Sequence, residues 1–304
     1  MLLRIAIGWH FLYEGLDKFK VNEGGKTFSA EGYLRGSAGP FASHFRNLVP
    51  DVDSLGKLDL DTLKKSWHTR ADQIAAHYGY DGAQRARLDA ELKDTEAKAD
   101  DWFQAKENAE KGKKYKSDLG KVLAIEANPG SMSYERERAA SSRKDLDKDR
   151  RELVAPLDAM GGALEDAIVK LATPEQAKAV APFAPPPTQV DQINLTTKYA
   201  MVIFGTCMIL GLFTPVAALG LVWFLAMFYF SLPPWPGVPS PPNSEGHYWI
   251  VNKNLIELLA CLVVASTPSG LWVGLDALIF GRFARRRAMR AAERRAERDL
   301  ASSV

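Results

Sequence analysis

Three long apolar runs dominate the last third of the chain, between residues 195 and 281. They are Tyr199–Phe213, Val216–Leu232 and Ile250–Ser266, and they carry very few charged side chains. Each run approaches the roughly 17–25 residues that a helix needs to cross about 30 Å of hydrocarbon. Tryptophans at the ends or flanks of the runs match the interfacial aromatic pattern of membrane proteins; they are Trp223, Trp235, Trp249 and Trp272. The runs predict transmembrane helices, the alternative being the buried helices of a large soluble protein.

A fourth apolar segment, Leu2–Phe19, begins almost at the first residue. A secretory signal peptide is one interpretation. His10 and Glu14 interrupt its apolar centre and no small-residue cleavage site follows closely, so an uncleaved transmembrane helix is favoured. Pro215 separates the first two C-terminal runs by a short connection, which predicts a helical hairpin. The fold class predicted is all-α, a four-helix transmembrane bundle.

The segment from 51 to 182 is rich in lysine, arginine, aspartate, glutamate and alanine, with both charge signs interspersed. This pattern is typical of solvent-exposed helices, and apolar residues such as Leu88, Leu92, Leu157 and Leu164 recur at helical spacing. Capping boxes are predicted at Asp81–Gln84 and Thr173–Gln176, and a turn at 128–131. An antiparallel helical hairpin or coiled coil inserted between the first and second membrane helices is expected, with a disordered charged linker as the alternative.

These features divide the chain into six segments. They are a transmembrane helix at 1–20, a surface or interfacial segment at 21–50, the helical insert at 51–182, a proline-rich linker at 183–195, three transmembrane helices at 196–281, and a basic tail at 282–304.

Charge and cysteine content exclude several function classes. The net charge of +2 gives no support to a nucleic-acid partner. Cys207 and Cys261 both lie in apolar runs without zinc-like spacing, so no metal site is predicted, and whether they pair is left open. The arginine-rich tail predicts a cytoplasmic C-terminus in a bacterial inner membrane. Four crossings then place the N-terminus in the cytoplasm and the insert in the periplasm or cell exterior; docking by the tail is a weaker alternative.

Five polar side chains lie within or beside the apolar helices. Charged groups inside a membrane are costly and are candidates for function; the set is His10, Glu14, Lys18, Asn254 and Glu257. They are expected to meet in one cluster, with Glu257 opposite Glu14 and Lys18. One interpretation is a proton-exchanging pocket beside a cleft for a quinone. The other is an interhelical polar network that fixes helix register.

The membrane residues resemble the DoxX family of four-helix membrane proteins. The similarity is carried by Leu3–Gly8 and Glu14-Gly15-x-x-Lys18, by Gly211-Leu-Phe-Thr-Pro215, and by Asn254-Leu-Ile-Glu257 with Gly270–Asp276. Members are linked to thiosulfate:quinone oxidoreductase and to membrane redox complexes, so the resemblance implies a membrane subunit of such a complex and supplies no catalytic residues. The insert of roughly 170 residues departs from the compact family pattern.

Two functions follow as expectations. The first is a subunit supporting quinone-linked electron transfer, with quinone as its cofactor, no covalently bound group, and a protein partner or second copy docked through 51–182. The alternative is a non-catalytic membrane scaffold or assembly protein. A transporter has less support, because neither an inverted repeat nor a broken-helix site is evident.

Overall fold

The structure, a computed structural model, describes residues 1–20, 27–128, 130–238, 248–281 and 289. Its regular elements in these ranges are helices, apart from one isolated bridge between Tyr248 and Val251. Residues 275–281 are also helical. The named helices are α1 (Leu2–Asp17), α2 (Glu31–Arg35), α3 (Ala42–Arg46), α4 (Leu60–Tyr78), α5 (Gly82–Gln104), α6 (Lys106–Ala127), α7 (Ser133–Val169), α8 (Pro174–Ala179), α9 (Gln189–Leu210), α10 (Thr214–Ser231), α11 (Lys253–Ser266) and α12 (Ser269–Trp272).

The chain forms two compact units. The apolar unit combines Met1–Phe45, Gln189–Pro236 and the described part of Ser240–Val304. The polar unit is Arg46–Thr188 with Gly237–Pro239. The chain therefore leaves and re-enters the apolar unit, as expected for an insert, but the inserted unit extends beyond the predicted limits of 51 and 182.

Four helices pack into a closed ring in the apolar unit. Helix α1 contacts α9 and α11, and α10 contacts the same two helices. Phe11, Met208, Leu221 and Cys261 are almost fully buried in the common core. By length and composition, only α9 and α10 among the described helices could cross a membrane. The all-helical fold is confirmed, whereas four membrane crossings remain a prediction, since α1 has 16 residues and α11 has 14.

Glycines bring α1 and α9 into close contact. A Cβ atom on Gly205 would lie 2.6 Å from the Leu12 backbone nitrogen and 2.9 Å from the Gly8 carbonyl oxygen. A Cβ on Gly15 would lie 2.9 Å from Val202 Cγ2. Small residues at such crossings let helix backbones approach closely, which is how helices in lipid gain van der Waals contact.

The interfacial segment predicted at 21–50 contains the short helices α2 and α3. The Tyr33 hydroxyl donates to the Phe228 carbonyl at 2.7 Å. The Ser37 and Ser231 hydroxyls are 2.7 Å apart, and the Ala38 N–H donates to the Ser231 carbonyl at 3.0 Å. These bonds fasten the segment to the C-terminal end of α10, where carbonyl groups lack partners within the helix.

The polar unit is larger than the predicted hairpin. Helices α6 and α7 flank the expected turn, but α5 and α4 also pack against α7. Helices α5 and α6 meet at Ala105, whose ψ of 120° breaks the helix. The Asn108 side chain donates to the Trp102 carbonyl at 3.0 Å and so satisfies a group that the break leaves free. No glycine or proline marks this break, so no residue type predicts it.

Both predicted capping boxes are confirmed. Asp81 with Gln84 caps α5, and Thr173 with Gln176 caps α8. The two glutamine side chains also bond to each other, at 2.8 Å from Gln84 Nε2 to Gln176 Oε1. The predicted apolar stripes are buried in the same core; their members include Leu88, Leu92, Ala99, Leu146, Leu153, Leu157, Leu164 and Ile168.

Part of the predicted proline-rich linker belongs to the polar unit. The Phe183 N–H donates to the Tyr78 hydroxyl at 3.0 Å, and the Phe183 ring packs against the core. Nε2 of His77 is 2.8 Å from the Ala181 carbonyl oxygen. Helix α9 begins at Gln189, inside the predicted linker of 183–195. The predicted linker was therefore too long. A proline-rich composition does not reveal that Phe183 within it packs against the core.

An ion-pair network ties the start of the polar unit to α6 and α7. Glu126 Oε2 lies 2.7 Å from Arg46 Nη1 and 3.0 Å from Arg143 Nη2. Arg143 Nη1 lies 3.0 Å from Asp53 Oδ1. Burial raises the pKa of Glu126, but the hydrogen bond from Arg143 and the charges of both arginines outweigh it, and the pKa lies below its usual value. The ionised form of Glu126 is therefore the one the fold stabilises.

Acidification is expected to loosen this network. Because the folded pKa of Glu126 is lowered, its contribution is complete above the ordinary carboxyl pKa of about 4.3 and is lost as the pH falls through the folded value. Glu126→Gln should cost about 2 kcal/mol at neutral pH, as expected for hydrogen bonds to charged groups, and should remove part of the acid dependence. Hydrogen exchange of Tyr115–Val122, corrected for intrinsic rate, measures both effects.

Glu107→Gln is the matched control, since Glu107 pairs with Lys111 on an exposed face of the same helix. It should leave exchange in α6 unchanged. Equal exchange in the Glu126 and Glu107 variants from neutral pH to pH values below about 4 would contradict the assignment.

Candidate functional site

The centre of the candidate site is a hydrogen-bonded pair of side chains, one from α1 and one from α11. His10 Nδ1 lies 2.7 Å from Glu257 Oε1, although the two residues are 247 positions apart. The Glu257 side chain is 13% exposed and that of His10 is 36% exposed. The carboxylate is therefore mostly covered, whereas the imidazole reaches the surface of the helix ring.

The pairing fixes how the imidazole can handle protons. An ionised Glu257 accepts a hydrogen bond and so holds a proton on His10 Nδ1. Nε2 then accepts a hydrogen bond when the ring is neutral and donates one when the ring is protonated. A carboxylate that orients a histidine in this way is a recurring arrangement in acid–base sites. The pair can thus hold or release one proton at the surface of the ring.

The other predicted members do not join this pair. Lys18 Nζ lies 3.3 Å from Glu14 Oε2 on the same helix, and Glu14 is 47% exposed. Lys18 also lies over the Phe28 ring, at 5.2 Å from its centroid. Asn254 is half-buried on the first turn of α11 and makes no hydrogen bond to the other described members. The expectation that Glu257 faces Glu14 and Lys18 is corrected: its partner is His10, one turn earlier on α1.

The surroundings of the His10–Glu257 pair are apolar and exposed. Trp9 and Tyr13 lie beside His10 on α1, and Ile256 precedes Glu257 on α11; all three are more than half exposed. Such a surface suits contact with lipid or a lipid-soluble molecule.

A second polar centre is formed by Arg4 of α1, the backbone of Ser269 and Val273, and the Asp276 carboxylate. Nη1 of Arg4 donates to the Ser269 carbonyl at 2.9 Å, and Nη2 donates to the Val273 carbonyl at 2.8 Å. Arg4 is 2% exposed and Asp276 is 3% exposed. The two charges interact, so each is partly compensated.

Asp276 fixes the turn between α9 and α10. Its carboxylate accepts from the Phe213 N–H at 2.7 Å and from the Thr214 N–H at 2.9 Å. Its own N–H donates to the Gly211 carbonyl at 2.8 Å. An acidic side chain at a helix N-terminus satisfies free N–H groups and complements the helix dipole. Phe213 has a φ of 47°, which this carboxylate holds in place.

Two glycines make room for this second centre. A Cβ on Gly270 would clash with both Asp276 Oδ2 and Thr214 Oγ1. A Cβ on Gly211 would lie 2.7 Å from Arg4 Nη1, and the φ of Gly211 is 65°. Arg4, Gly211, Gly270 and Asp276 belong to the same short motifs that carry the family resemblance. No local pattern in the sequence predicted that they meet.

Other predicted features carry no site in the described part of the chain. Within the described ranges no group of three or more His, Cys, Asp or Glu residues could hold a metal ion. Cys207 and Cys261 are free thiols in the apolar core. The basic tail at 282–304 lies outside the described residues, except for Met289. The loop at 239–247 and residues 21–26 also lie outside them.

Comparison with protein-family models, curated proteins and solved structures finds no match to this chain.

Proposed function

We propose that the chain is a membrane subunit that supports quinone-linked electron transfer, with proton exchange at the His10–Glu257 pair. The observation that carries the proposal is this pair, which places a carboxylate-oriented imidazole at an apolar surface. Two helices long and apolar enough to cross a membrane support the membrane setting. The family resemblance supports the redox setting.

The residues fit a quinone in the chemistry of their donor groups. A quinone carbonyl oxygen accepts hydrogen bonds. Glu257 binds only Nδ1 of His10, so the Nε2–H of a protonated His10 can donate to that oxygen. His10 would hold such a ligand and the flanking apolar side chains would contact its ring. When bound, a quinone supplies redox chemistry that takes up protons together with electrons.

The chain's own contribution is to hold and release a proton. With Glu257 ionised and His10 protonated the pair is neutral overall, which lowers the cost of placing it in an apolar medium. Loss of the Nε2 proton leaves Nδ1–H bonded to the carboxylate, so the imidazole keeps its orientation for the next cycle.

Binding of a short-chain benzoquinone to the full chain in lipid nanodiscs tests this proposal. Removing a charge-assisted hydrogen bond should weaken binding by about tenfold or more, so Glu257→Gln and His10→Phe should raise Kd by that factor. Glu14→Gln is the matched control, because Glu14 bonds Lys18 and not the pair. Its Kd should equal that of the unchanged protein.

An absence of saturable quinone binding would contradict the proposal. Equal Kd values for all three variants, in protein that keeps its thermal unfolding midpoint, would contradict it as well. A lowered midpoint without a change in Kd would assign the pair a structural role alone.

The second candidate function is a non-catalytic scaffold or assembly protein. The polar unit favours it, because its helices close around an apolar core of their own and present charged side chains of both signs outward. Deletion of 51–182 should then remove co-purifying partners, while Glu257→Gln should not. In both proposals the polar unit lies in the periplasm or cell exterior and the termini in the cytoplasm.

A further inference from the structure

A tight turn precedes α11 at residues 248–251. The Tyr248 N–H donates to the Val251 carbonyl at 3.0 Å, and the Val251 N–H donates to the Tyr248 carbonyl at 2.9 Å. Trp249, inside the turn, has a φ of 61°. This left-handed conformation is unfavourable for a bulky side chain, so the fold holds Trp249 there at a cost.

Hydrogen bonds on both sides fix the turn. The Tyr229 hydroxyl donates to the Ile250 carbonyl at 2.8 Å and accepts from Trp235 Nε1 at 2.9 Å. After the turn, Asn252 caps α11 by accepting from the Leu255 N–H at 3.0 Å. The tip is therefore a fixed projection from the ends of α10 and α11.

The tip exposes large apolar side chains. Trp249 is 76% exposed, Tyr248 is 72% exposed and Ile250 is 53% exposed. If these three adjacent side chains stayed in water, the protein would not gain the free energy of burying their apolar area. Backbone strain at Trp249 adds to the cost, so the tip is shaped for an apolar contact.

The length of α11 indicates which apolar contact this is. Its 14 residues span about 21 Å at about 1.5 Å per residue, well short of the roughly 30 Å hydrocarbon core. Trp272 lies just beyond the other end of α11 and is 65% exposed. Exposed indole rings thus lie beyond both ends of one short apolar helix. Tryptophan and tyrosine at both ends of a span anchor it at the lipid–water interface and compensate for a short hydrophobic length.

We propose that the Tyr248–Val251 turn is a lipid anchor whose side chains enter the boundary between headgroups and acyl chains, and that it seats α11 in the bilayer together with Trp272. The ligand class is the lipid surface itself. A protein partner is disfavoured because exposed indole rings lie beyond both ends of the short α11, the arrangement of a helix seated in a bilayer. This anchor rests on the membrane setting proposed above and is independent of proton exchange at the His10–Glu257 pair.

Fluorine NMR of the full chain labelled with 5-fluorotryptophan, in lipid nanodiscs, tests the anchor. The chain has seven tryptophans, and the Trp249 signal is assigned as the one lost in Trp249→Phe. Two broadening agents are compared: lipids with a nitroxide near the headgroup end of the acyl chain, and a water-soluble gadolinium chelate. We expect the Trp249 and Trp272 signals to be lost with the nitroxide lipid and kept with the chelate.

Trp67, which is 7% exposed in the core of the polar unit, is the control and should keep its signal with both agents. A Trp249 signal lost with the chelate and kept with the nitroxide lipid would place the turn in water and overturn the proposal. A Trp249 signal kept with both agents would place it under protein, either a second copy or another part of this chain, and would overturn it equally.

Discussion

Gly205→Val is expected to detach α1 from α9 and to destabilise the apolar unit by about 3 kcal/mol, the upper part of the range for overpacking. The new Cβ alone would lie 2.6 Å from the Leu12 backbone nitrogen, and backbone atoms cannot rotate away as a flexible side chain can. The helices must separate, and the van der Waals packing between them weakens. The thermal unfolding midpoint of the full chain in nanodiscs measures the effect.

Gly32→Ala is the matched control for this prediction. Gly32 lies in α2 of the same unit, and a Cβ there would meet nothing within 4 Å. Alanine is also the better helix former by about 1 kcal/mol, so the midpoint should stay or rise. A Gly205 variant that unfolds at the same temperature as the Gly32 variant would show that the α1–α9 crossing is looser than described.

Asp276→Asn is expected to cost about 3 kcal/mol, the upper part of the range for losing a hydrogen bond to a buried charged group. The amide can accept only through its single oxygen, so either the Phe213 or the Thr214 N–H loses its partner. Arg4 also loses the carboxylate charge that opposes it. The expected result is a lower unfolding midpoint in nanodiscs and faster hydrogen exchange at the start of α10.

A double variant separates the two causes. Arg4→Met removes the buried cation, so Arg4→Met with Asp276→Asn should cost less than the sum of the single changes. Asp17→Asn is the control on α1, because Asp17 pairs with Lys20 on the exposed surface. Strict additivity of the two single changes would mean that Arg4 and Asp276 do not act together.

Local signals in the sequence predicted the starts of α5 and α8. The caps at Asp81 and Thr173 depend on residues three positions apart, so the sequence contains the whole interaction. The apolar stripe of α7 is likewise a periodic pattern within one helix, and it is buried as predicted. The break at Ala105 carried no such signal, because the bond that accommodates it is formed by an ordinary Asn108 side chain.

The candidate site was predicted by residue type and not by pairing. Ionisable side chains within apolar runs identified His10, Glu14 and Glu257 as unusual, because placing a charge in an apolar medium is costly wherever its partner lies. His10 and Glu14 differ by about one helical turn on one face of α1, so spacing alone does not tell which of them faces α11. The order of the packed helices and the rotation of each about its axis place His10, and not Glu14, against Glu257.

Arg4 and Asp276 show the same division most clearly. Sequence by itself determined that the described chain is helical, where its apolar and charged segments lie, and that Asp81 and Thr173 cap helices, since these depend on periodicity and on neighbours within one turn. Only the tertiary structure decided that Arg4, Gly211, Gly270 and Asp276 form one centre and that Glu257 meets His10. Arg4 and His10 meet partners more than 200 positions away, and many helix arrangements are compatible with the same apolar faces until packing of backbone and glycine selects one.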